Sequence, residues 1–286
     1  MEVIVGSLAG FCDGVKYAVK TAEEIVRDNK DVYCLGELVH NKQVIEKLEK
    51  IGMNTINSID EAPQNSVVII RAHGEPLSTY EIAKKKNIKI YDLTCGKVRI
   101  IHNKIDSHKD GSFIIILGSK KHPEIIASIS YAKENGIAIE NVEDIKEAYR
   151  KYKDSGLKNV FVCAQTTYSM ARFEEMVTLI QKEFEGESVV VENTICNATE
   201  NRQKELKEMA KDFHKMIIIG GKNSSNTKEL YNLAKENCEK AILIETAYDL
   251  KNEAEFLKGN ERIGIMAGAS TPQDSIDEVK KYIESI

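Results

Sequence analysis

Three cysteines occupy the same kind of position in the chain, at the end of a predicted strand and the start of a predicted helix. Cys12 follows the apolar segment 3–6, Cys95 follows 88–92, and Cys196 follows 188–192. Backbone N–H groups at a helix start favour negative charge, so a cysteine there is stabilised as a thiolate. The thiolate is the form of cysteine that binds metals. We therefore predict that the three cysteines share one site.

The spacing of these cysteines favours an iron–sulfur cluster over a structural zinc ion. Structural zinc takes four ligands and often uses closely spaced cysteine pairs, but the sequence contains no Cys-x-x-Cys. Three thiolates suit a four-iron cluster in which one iron lacks a protein ligand and could bind a substrate oxygen. A non-redox binding module that holds zinc through its cysteines stays open as an alternative.

The remaining cysteines and three histidines are predicted to have no part in this site. Cys34 and Cys163 lie within apolar strands, where a cysteine packs as a small hydrophobic residue, and Cys238 near a helix end is expected to be buried as well. Histidines in charged helical stretches are expected in solvent, and these are His102, His108 and His214.

Polar residues gather directly after other predicted strands. Each of these segments presents histidine, hydroxyl or amide groups beside backbone N–H donors, a combination suited to phosphate groups. The segments are 36–41, 71–76, 118–124, 164–169, 220–227 and 267–272.

Apolar segments alternate with helical patterns along all 286 residues. Segments such as 113–117 and 216–219 are continuously apolar, which is typical of parallel strands covered by helices on both faces. The recurring strand–cysteine junctions predict an α/β fold of three similar small lobes with mainly parallel sheets around a central cluster-binding cavity. The predicted lobes are 1–95, 96–195 and 196–286.

Composition narrows the possible partners and the compartment. The net charge is −5 and no basic block occurs, which argues against nucleic-acid binding. We also expect no membrane association, because no apolar segment reaches membrane-spanning length. No secretion signal is recognisable, so we expect a cytoplasmic protein whose six cysteines are reduced.

Short motifs spread over nearly the whole chain resemble, in the same order, those of one known family. They are Gly10-Phe11-Cys12, Glu37-Leu38-Val39-His40-Asn41, Arg71-Ala72-His73-Gly74, Thr94-Cys95, His122-Pro123-Glu124, Gln165-Thr166-Thr167, Thr194-Ile195-Cys196, Asn223-Ser224-Ser225-Asn226 and Ala267-Gly268-Ala269-Ser270-Thr271-Pro272. This set resembles the LytB/IspH family of 4-hydroxy-3-methylbut-2-enyl diphosphate reductases.

The resemblance implies a reaction and a role for each matching residue. The reaction is the last step of the methylerythritol phosphate route to isoprenoids, in which a two-electron reduction removes the hydroxyl of an allylic diphosphate. Electrons would come from a ferredoxin or flavodoxin-type donor. The implied ligands of one [4Fe-4S] cluster are Cys12, Cys95 and Cys196. The implied catalytic residues are Glu124 as proton source, Thr166 and His122. The implied diphosphate-binding residues are His40, His73, His122, Ser224, Ser225, Asn226 and Ser270.

One departure and one alternative accompany this resemblance. Gly96-Lys97 follows Cys95 where the family usually has proline and an apolar residue, which changes the backbone and the charge next to that ligand. A cluster-dependent dehydratase similar to quinolinate synthase is the alternative enzyme, because it uses the same three-lobed plan with three cysteines. Dependence of turnover on a reductant distinguishes the two reactions.

Overall fold

The structure is a computed structural model that describes residues 2–259 and 262–286. Strands and helices alternate through these residues, as the sequence predicts. The strands are β1 (Val3–Val5), β2 (Val32–Leu35), β3 (Met53–Ile56), β4 (Val67–Ile70), β5 (Lys89–Asp92), β6 (Ser112–Leu117), β7 (Gly136–Ile139), β8 (Asn159–Ala164), β9 (Ser188–Val191), β10 (Lys215–Ile219), β11 (Lys240–Ile244) and β12 (Ile263–Ala267). The helices are α1 (Asp13–Asp28), α2 (Lys42–Lys50), α3 (Leu77–Lys85), α4 (Gly96–His108), α5 (Pro123–Ala132), α6 (Asp144–Ser155), α7 (Met170–Glu183), α8 (Asn197–Asp212), α9 (Ser225–Asn237), α10 (Ala247–Leu250), α11 (Ala254–Leu257) and α12 (Gln273–Glu284).

The described strands form three four-stranded sheets in which neighbouring strands run parallel. Sheet A has the order β1-β12-β10-β11, sheet B the order β3-β2-β4-β5, and sheet C the order β7-β6-β8-β9. The predicted fold of three small parallel α/β lobes is therefore confirmed. The sequence pattern missed β3, because Asn54 and Thr55 interrupt its two buried residues, Met53 and Ile56.

Strand β6, one of the two inner strands of sheet C, is buried along its whole length, which explains its continuously apolar sequence. Phe113, Ile115 and Leu117 pack on one face with residues of α6 and α7. Ile114 and Ile116 point to the other face and pack with residues of α4 and α5. Burying one such side chain contributes about 1.5–3 kcal/mol. Both faces of this strand thus hold the two helix layers against the sheet.

The chain divides into two compact units. Unit 1 contains the N-terminal stretch up to Val19, the segment Val39–Lys47 and the chain from Asn197 onward, and it carries sheet A. Unit 2 contains Lys20–Leu38 and Leu48–Cys196, and it carries sheets B and C. The first strand belongs to unit 1 because β1 pairs with β12, where Val3 lies opposite Ile263. The lobe boundaries at residues 95 and 195 stay a prediction.

Each of the three cysteines discussed above directly precedes a helix. Helix α1 begins one residue after Cys12, α4 one residue after Cys95, and α8 one residue after Cys196. These cysteines therefore lie beside the first N–H groups of a helix, which have no hydrogen-bond partner within the helix.

None of the helices found in residues 2–259 and 262–286 is long and apolar enough to cross a membrane.

Candidate active site

A buried carboxyl group stands at the carboxyl end of sheet C. Strand β6 leads into a loop that ends at His122, the N-cap of α5, and Pro123 is the first residue of that helix. The Nδ1 atom of His122 accepts a hydrogen bond of 3.2 Å from the backbone N–H of Glu124. This cap fixes the first turn of α5 and directs Glu124 inward, where only 2% of its surface is exposed.

Thr166 holds both oxygens of this carboxyl group. Strand β8 pairs with β6, so the loop after β8 lies beside the start of α5. The Thr166 N–H donates to Oε1 of Glu124 at 2.6 Å. The hydroxyl oxygen of Thr166 also lies 2.6 Å from Oε2. Burial disfavours the charged form and raises the pKa of Glu124 to about 7, although both Thr166 bonds act in the opposite direction. Near neutral pH this carboxyl group is poised to give or take a proton.

Two of the predicted histidines meet in unit 2. His73 follows β4, and its ring lies edge-on to that of His122 with 5.3 Å between the ring centroids. The backbone N–H of Cys95 donates to the carbonyl of Ala72 at 2.9 Å, so the histidine loop and the cysteine loop are tied together. Unit 2 therefore brings together His73, His122 and the backbone that carries Cys95.

Cys196 is tied by its backbone to the loop that carries Thr166. Its N–H donates to the carbonyl of Thr166 at 2.9 Å. The hydroxyl of Thr194 donates to the carbonyl of Ala164 and accepts from the Ala164 N–H, which fixes the approach to Cys196. The position of Cys196 is thus coupled to the same residue that holds Glu124.

Unit 1 holds the remaining cysteine and part of the predicted anion site. The Cys12 N–H donates to the carbonyl of Ala269 at 3.1 Å. Next in sequence, the hydroxyl of Ser270 donates to the carbonyl of His40 at 3.1 Å. A Cβ atom on Gly221 would lie 2.5 Å from that same carbonyl oxygen, so only glycine allows this close approach of the two loops.

The start of α9 carries part of the predicted anion site. Ser224 is its N-cap, and its hydroxyl accepts from the N–H of Thr227. Asn226 is 3% exposed, and neither its Oδ1 nor its Nδ2 has a hydrogen-bond partner among the described residues. A buried amide without partners is unfavourable, and a polar ligand could supply the missing hydrogen bonds. Ser225 is half-buried in the same turn, whereas Lys222 is exposed.

The chemistry of the six cysteines distinguishes the three at strand ends from the others. Cys34 and Cys163 are fully buried, as predicted. Burial raises the pKa of Cys34 to about 12 and raises that of Cys163 even further above its ordinary value, so both stay neutral thiols. Cys238 is half-buried, and its thiol donates to the carbonyl of Phe213.

Cys12, Cys95 and Cys196 are partly accessible, and no disulfide involves any cysteine of the described chain. Accessible cysteines at helix starts fit thiolate ligands of an iron–sulfur cluster better than neutral buried thiols do.

Two of the three histidines expected in solvent are not solvated, and His102 is the more buried of the two. His102 is 4% exposed rather than solvated, and its ring stacks on Tyr131 with 4.2 Å between centroids. Burial lowers the pKa of His102 to about 4, so the ring is neutral. The His102 ring packs against the loop that carries His73. A Cβ atom added to Gly74 in that loop would lie only 2.8 Å from Cε1 of His102. Its spacing from buried Val98, four residues earlier, signals the inward face of α4.

The other two histidines differ from each other in exposure. His108 is half-buried and stacks on Phe161 with centroids 4.2 Å apart, so the prediction of a solvated ring is wrong there too. His214 is exposed, as predicted.

Known proteins are similar in sequence to this chain over its whole length. The family model described as LytB protein matches residues 3–284. A 4-hydroxy-3-methylbut-2-enyl diphosphate reductase of Aquifex aeolicus (strain VF5) is 39% identical over 100% of this chain and 97% of the relative. A protein of the same name from Clostridioides difficile (strain 630) is 38% identical over 100% of both chains.

Two solved structures share the fold. One is (E)-4-hydroxy-3-methyl-but-2-enyl diphosphate reductase, described as the terminal enzyme of the non-mevalonate pathway, with 40% identity, a TM-score of 0.71 and 100% of both chains covered. The other is the E-1-hydroxy-2-methyl-but-2-enyl-4-diphosphate reductase from Plasmodium falciparum, with 30% identity, a TM-score of 0.88 and coverage of 99% of this chain and 87% of that one. Because the family match spans nearly every residue and the relatives are this similar along the full chain, the chain belongs to the LytB family.

Proposed function

We propose that this chain reduces (E)-4-hydroxy-3-methylbut-2-enyl diphosphate to isopentenyl and dimethylallyl diphosphate. Its membership in a family whose relatives carry the name of this reductase supports the proposal. In this reaction the substrate's C–O bond breaks, two electrons and two protons enter, and water and a hydrocarbon diphosphate leave. The observation that carries the proposal is the buried pair of Glu124 and Thr166, because the reaction needs a proton donor.

The geometry of this pair supports a route for the proton. The Thr166 N–H can only donate, and it donates to Oε1, so a proton on the carboxyl group resides on Oε2. That oxygen faces the hydroxyl of Thr166, which can accept the proton and pass on its own. We infer that Glu124 delivers a proton to the leaving hydroxyl, and later one to the allyl carbon, through Thr166. Because burial raises the pKa of Glu124 to about 7, about half of the groups are protonated at neutral pH.

His122 is suited to hold the diphosphate group. Its Nδ1 accepts from the backbone N–H of Glu124, so the ring proton is on Nε2, which acts as a donor. A donor on this ring matches the acceptor oxygens of a phosphate group. His73 lies against the same ring and extends this set. The cap of α5 thus serves both the diphosphate group and the orientation of Glu124.

The anion site of unit 1 completes the proposed binding set. Ser224, Ser225 and Asn226 stand at the start of α9, where backbone N–H groups favour negative charge. Ser270 and His40 are joined by a hydrogen bond in the same unit. The buried amide of Asn226 supports this assignment, because a phosphate oxygen would give its Nδ2 an acceptor.

Cys12, Cys95 and Cys196 are the proposed ligands of one [4Fe-4S] cluster. They are the three cysteines that lie at helix starts. When bound, such a cluster supplies electrons and a Lewis-acidic iron. The backbone hydrogen bonds of these cysteines to Ala269, Ala72 and Thr166 would fix where their sulfur atoms point. A ferredoxin or flavodoxin-type protein is the proposed electron donor, and the cytoplasm is the proposed compartment.

Anaerobic purification tests the function directly. The reconstituted protein is analysed for iron, sulfide and zinc, and then assayed with the allylic diphosphate and a viologen reductant, with both hydrocarbon diphosphates quantified. The expected result is about four iron and four sulfide per chain, with product formation that depends on the reductant. Zinc without sulfide would support a binding module instead, and turnover of a different substrate without reductant would support a dehydratase.

A further inference from the structure

The turn that carries His73 is closed by a buried ion pair. Residues 71–74 form a turn directly after β4, in which the N–H of Gly74 donates to the carbonyl of Arg71 at 3.1 Å. Arg71 is the first residue of this turn, and Glu75 comes directly after its last one. Nη2 of Arg71 lies 2.7 Å from Oε1 of Glu75, and the two side chains are 19% and 7% exposed. His73 therefore lies between two residues whose side chains bind each other.

The guanidinium group of Arg71 also rests against the end of β2. A Cβ atom added to Gly36 would lie 2.8 Å from Cζ of Arg71 and closer still to its Nη1, so the group occupies space that a side chain would fill. The N–H of Gly36 donates to the carbonyl of Ile56 at 2.7 Å, which fixes that end of sheet B. Glu75 is therefore anchored to sheet B through Arg71.

The backbone by itself leaves the second half of the turn adaptable. The first half is held, because the carbonyl of Ala72 accepts from the N–H of Cys95. Gly74 follows His73 with φ +78, and glycine adopts more backbone conformations than any other residue. An anchored side chain at Glu75 limits the conformations that are open to Gly74, and thereby the placement of His73.

The two charges of the pair support each other where either alone would be unfavourable. Burial raises the pKa of Glu75, whereas Arg71 beside it acts in the opposite direction. A buried ion pair often adds no net stability over well-packed apolar side chains of similar volume, because both charges lose their hydration. Its geometry is more specific than apolar packing, since a guanidinium group binds a carboxylate in a defined direction. Such a pair suits a role in fixing the position of a loop.

We propose that Arg71 and Glu75 are positioning residues whose ion pair fixes the turn that presents the His73 ring to the diphosphate group. This inference rests on the function proposed above, because it requires His73 to bind that group. The rings of His73 and His122 lie edge-on with 5.3 Å between centroids, so a displaced turn would separate two members of the proposed binding set. The consequence of losing the ion pair is weaker binding of diphosphate with an unchanged chemical step.

A double-mutant comparison separates position from stability. Arg71→Met and Glu75→Met each leave one buried charge without its partner, whereas the double variant replaces both charges with apolar side chains. The matched control is the double variant Glu147→Met/Lys151→Met, because that ion pair has the same four-residue spacing but is exposed on α6. The reconstituted proteins are compared by calorimetric titration with the allylic diphosphate and with inorganic diphosphate, by steady-state kinetics, and by thermal unfolding.

The affinity for both ligands should fall about 10- to 150-fold in the single variants and in the double variant, the effect of losing one hydrogen bond to a charged group. KM should rise in proportion while kcat stays near the wild-type value, because these contacts bind substrate and transition state alike. The melting temperature should fall in each single variant and return to the wild-type value in the double variant. The control should match the wild type in affinity and melting temperature. The double variant decides the question if a single variant does not fold.

Specific outcomes would overturn the inference. Wild-type affinity in the single variants would refute it, and so would recovery of affinity together with the melting temperature in the double variant, because the ion pair would then contribute to stability alone. A kcat that falls as far as the affinity would assign the pair to the chemical step instead. If the wild-type protein binds neither ligand, the proposed function is refuted and the positioning role with it, so the two failures are distinguishable.

Discussion

Replacing Glu124 with glutamine should change both catalysis and the pH dependence of stability. Glutamine preserves the contacts, because its Oε1 can accept from the Thr166 N–H while its amide donates to the Thr166 hydroxyl. It removes the proton that the carboxyl group would transfer. Loss of a general acid typically lowers the rate about 10²- to 10⁴-fold. Turnover should therefore fall by that factor, while the substrate still binds.

The stability effect follows from the raised pKa. The pKa of Glu124 rises from 4.5 to about 7 on folding because the group is buried, so the folded state holds the proton more tightly than the unfolded state. This contribution to stability is fully present below pH 4.5 and is lost as the pH rises through 7. A difference of about 2.5 pKa units corresponds to a loss of about 3 kcal/mol across this window, of which roughly 2–3 kcal/mol falls between pH 5 and pH 8.

Two measurements on Glu124→Gln test this reasoning. Steady-state assays with the allylic diphosphate give the loss of turnover, and a substrate-induced change in the visible spectrum reports binding. Urea unfolding of the cluster-free protein at pH 5 and pH 8 gives the stability, and the variant should lack the decline that the wild type shows. Turnover close to that of the wild type, or an unchanged pH dependence of unfolding, would refute the role assigned to Glu124.

The remaining predictions concern the cysteines, the histidine loop and the anion site. Cys95→Ser should abolish the visible absorption of the reconstituted protein together with its activity. Cys34→Ala should keep both and lose only about 1–3 kcal/mol of stability in urea unfolding. Loss of the visible absorption in Cys34→Ala but not in Cys95→Ser would contradict the ligand assignment. Gly74→Ala should lower the free energy of unfolding by at least about 1–2 kcal/mol, because Gly74 has φ +78 and the new Cβ would meet His102 at 2.8 Å; wild-type stability would show that the loop can shift. Asn226→Ala should weaken substrate binding roughly 10- to 150-fold in a titration, and an unchanged affinity would remove this amide from the diphosphate site.

The positions of the loops that carry the candidate site residues could be predicted because their signals are local. A continuously apolar segment followed by cysteine or histidine and then by helical periodicity marks the end of a buried parallel strand. Cys95 and Cys196 directly precede helices for this reason, and His122 lies immediately before Pro123, the first residue of α5. The same local pattern placed Cys34 and Cys163 in the core.

What the sequence could not show depends on contacts between distant residues. The guanidinium of Arg202 reaches the carbonyl of Gly10 across 192 residues, and no local pattern predicts such a bond. His102 looked solvated because its neighbours on α4 are charged, yet its ring fills the space beside Gly74. The partner of β1 was equally invisible, since strand pairing leaves no mark in the paired segments themselves.

The pairing of β1 with β12 has a consequence for the order of events during synthesis. Val3 pairs with Ile263, so the second residue of this pair emerges about 260 residues after the first. At a translation rate of about 5–20 residues per second, the first strand waits roughly 10–50 s on the ribosome for its neighbour. Sheets B and C consist entirely of strands made in the meantime.

The loop that carries Cys12 shares this delay, because it leads out of β1. The N–H of Cys12 donates to the carbonyl of Ala269, which lies just beyond β12. The backbone partners of Cys95 and Cys196, Ala72 and Thr166, are therefore synthesised well before Ala269, the partner of Cys12. Any chain that stops short of β12 leaves the first strand without its neighbour.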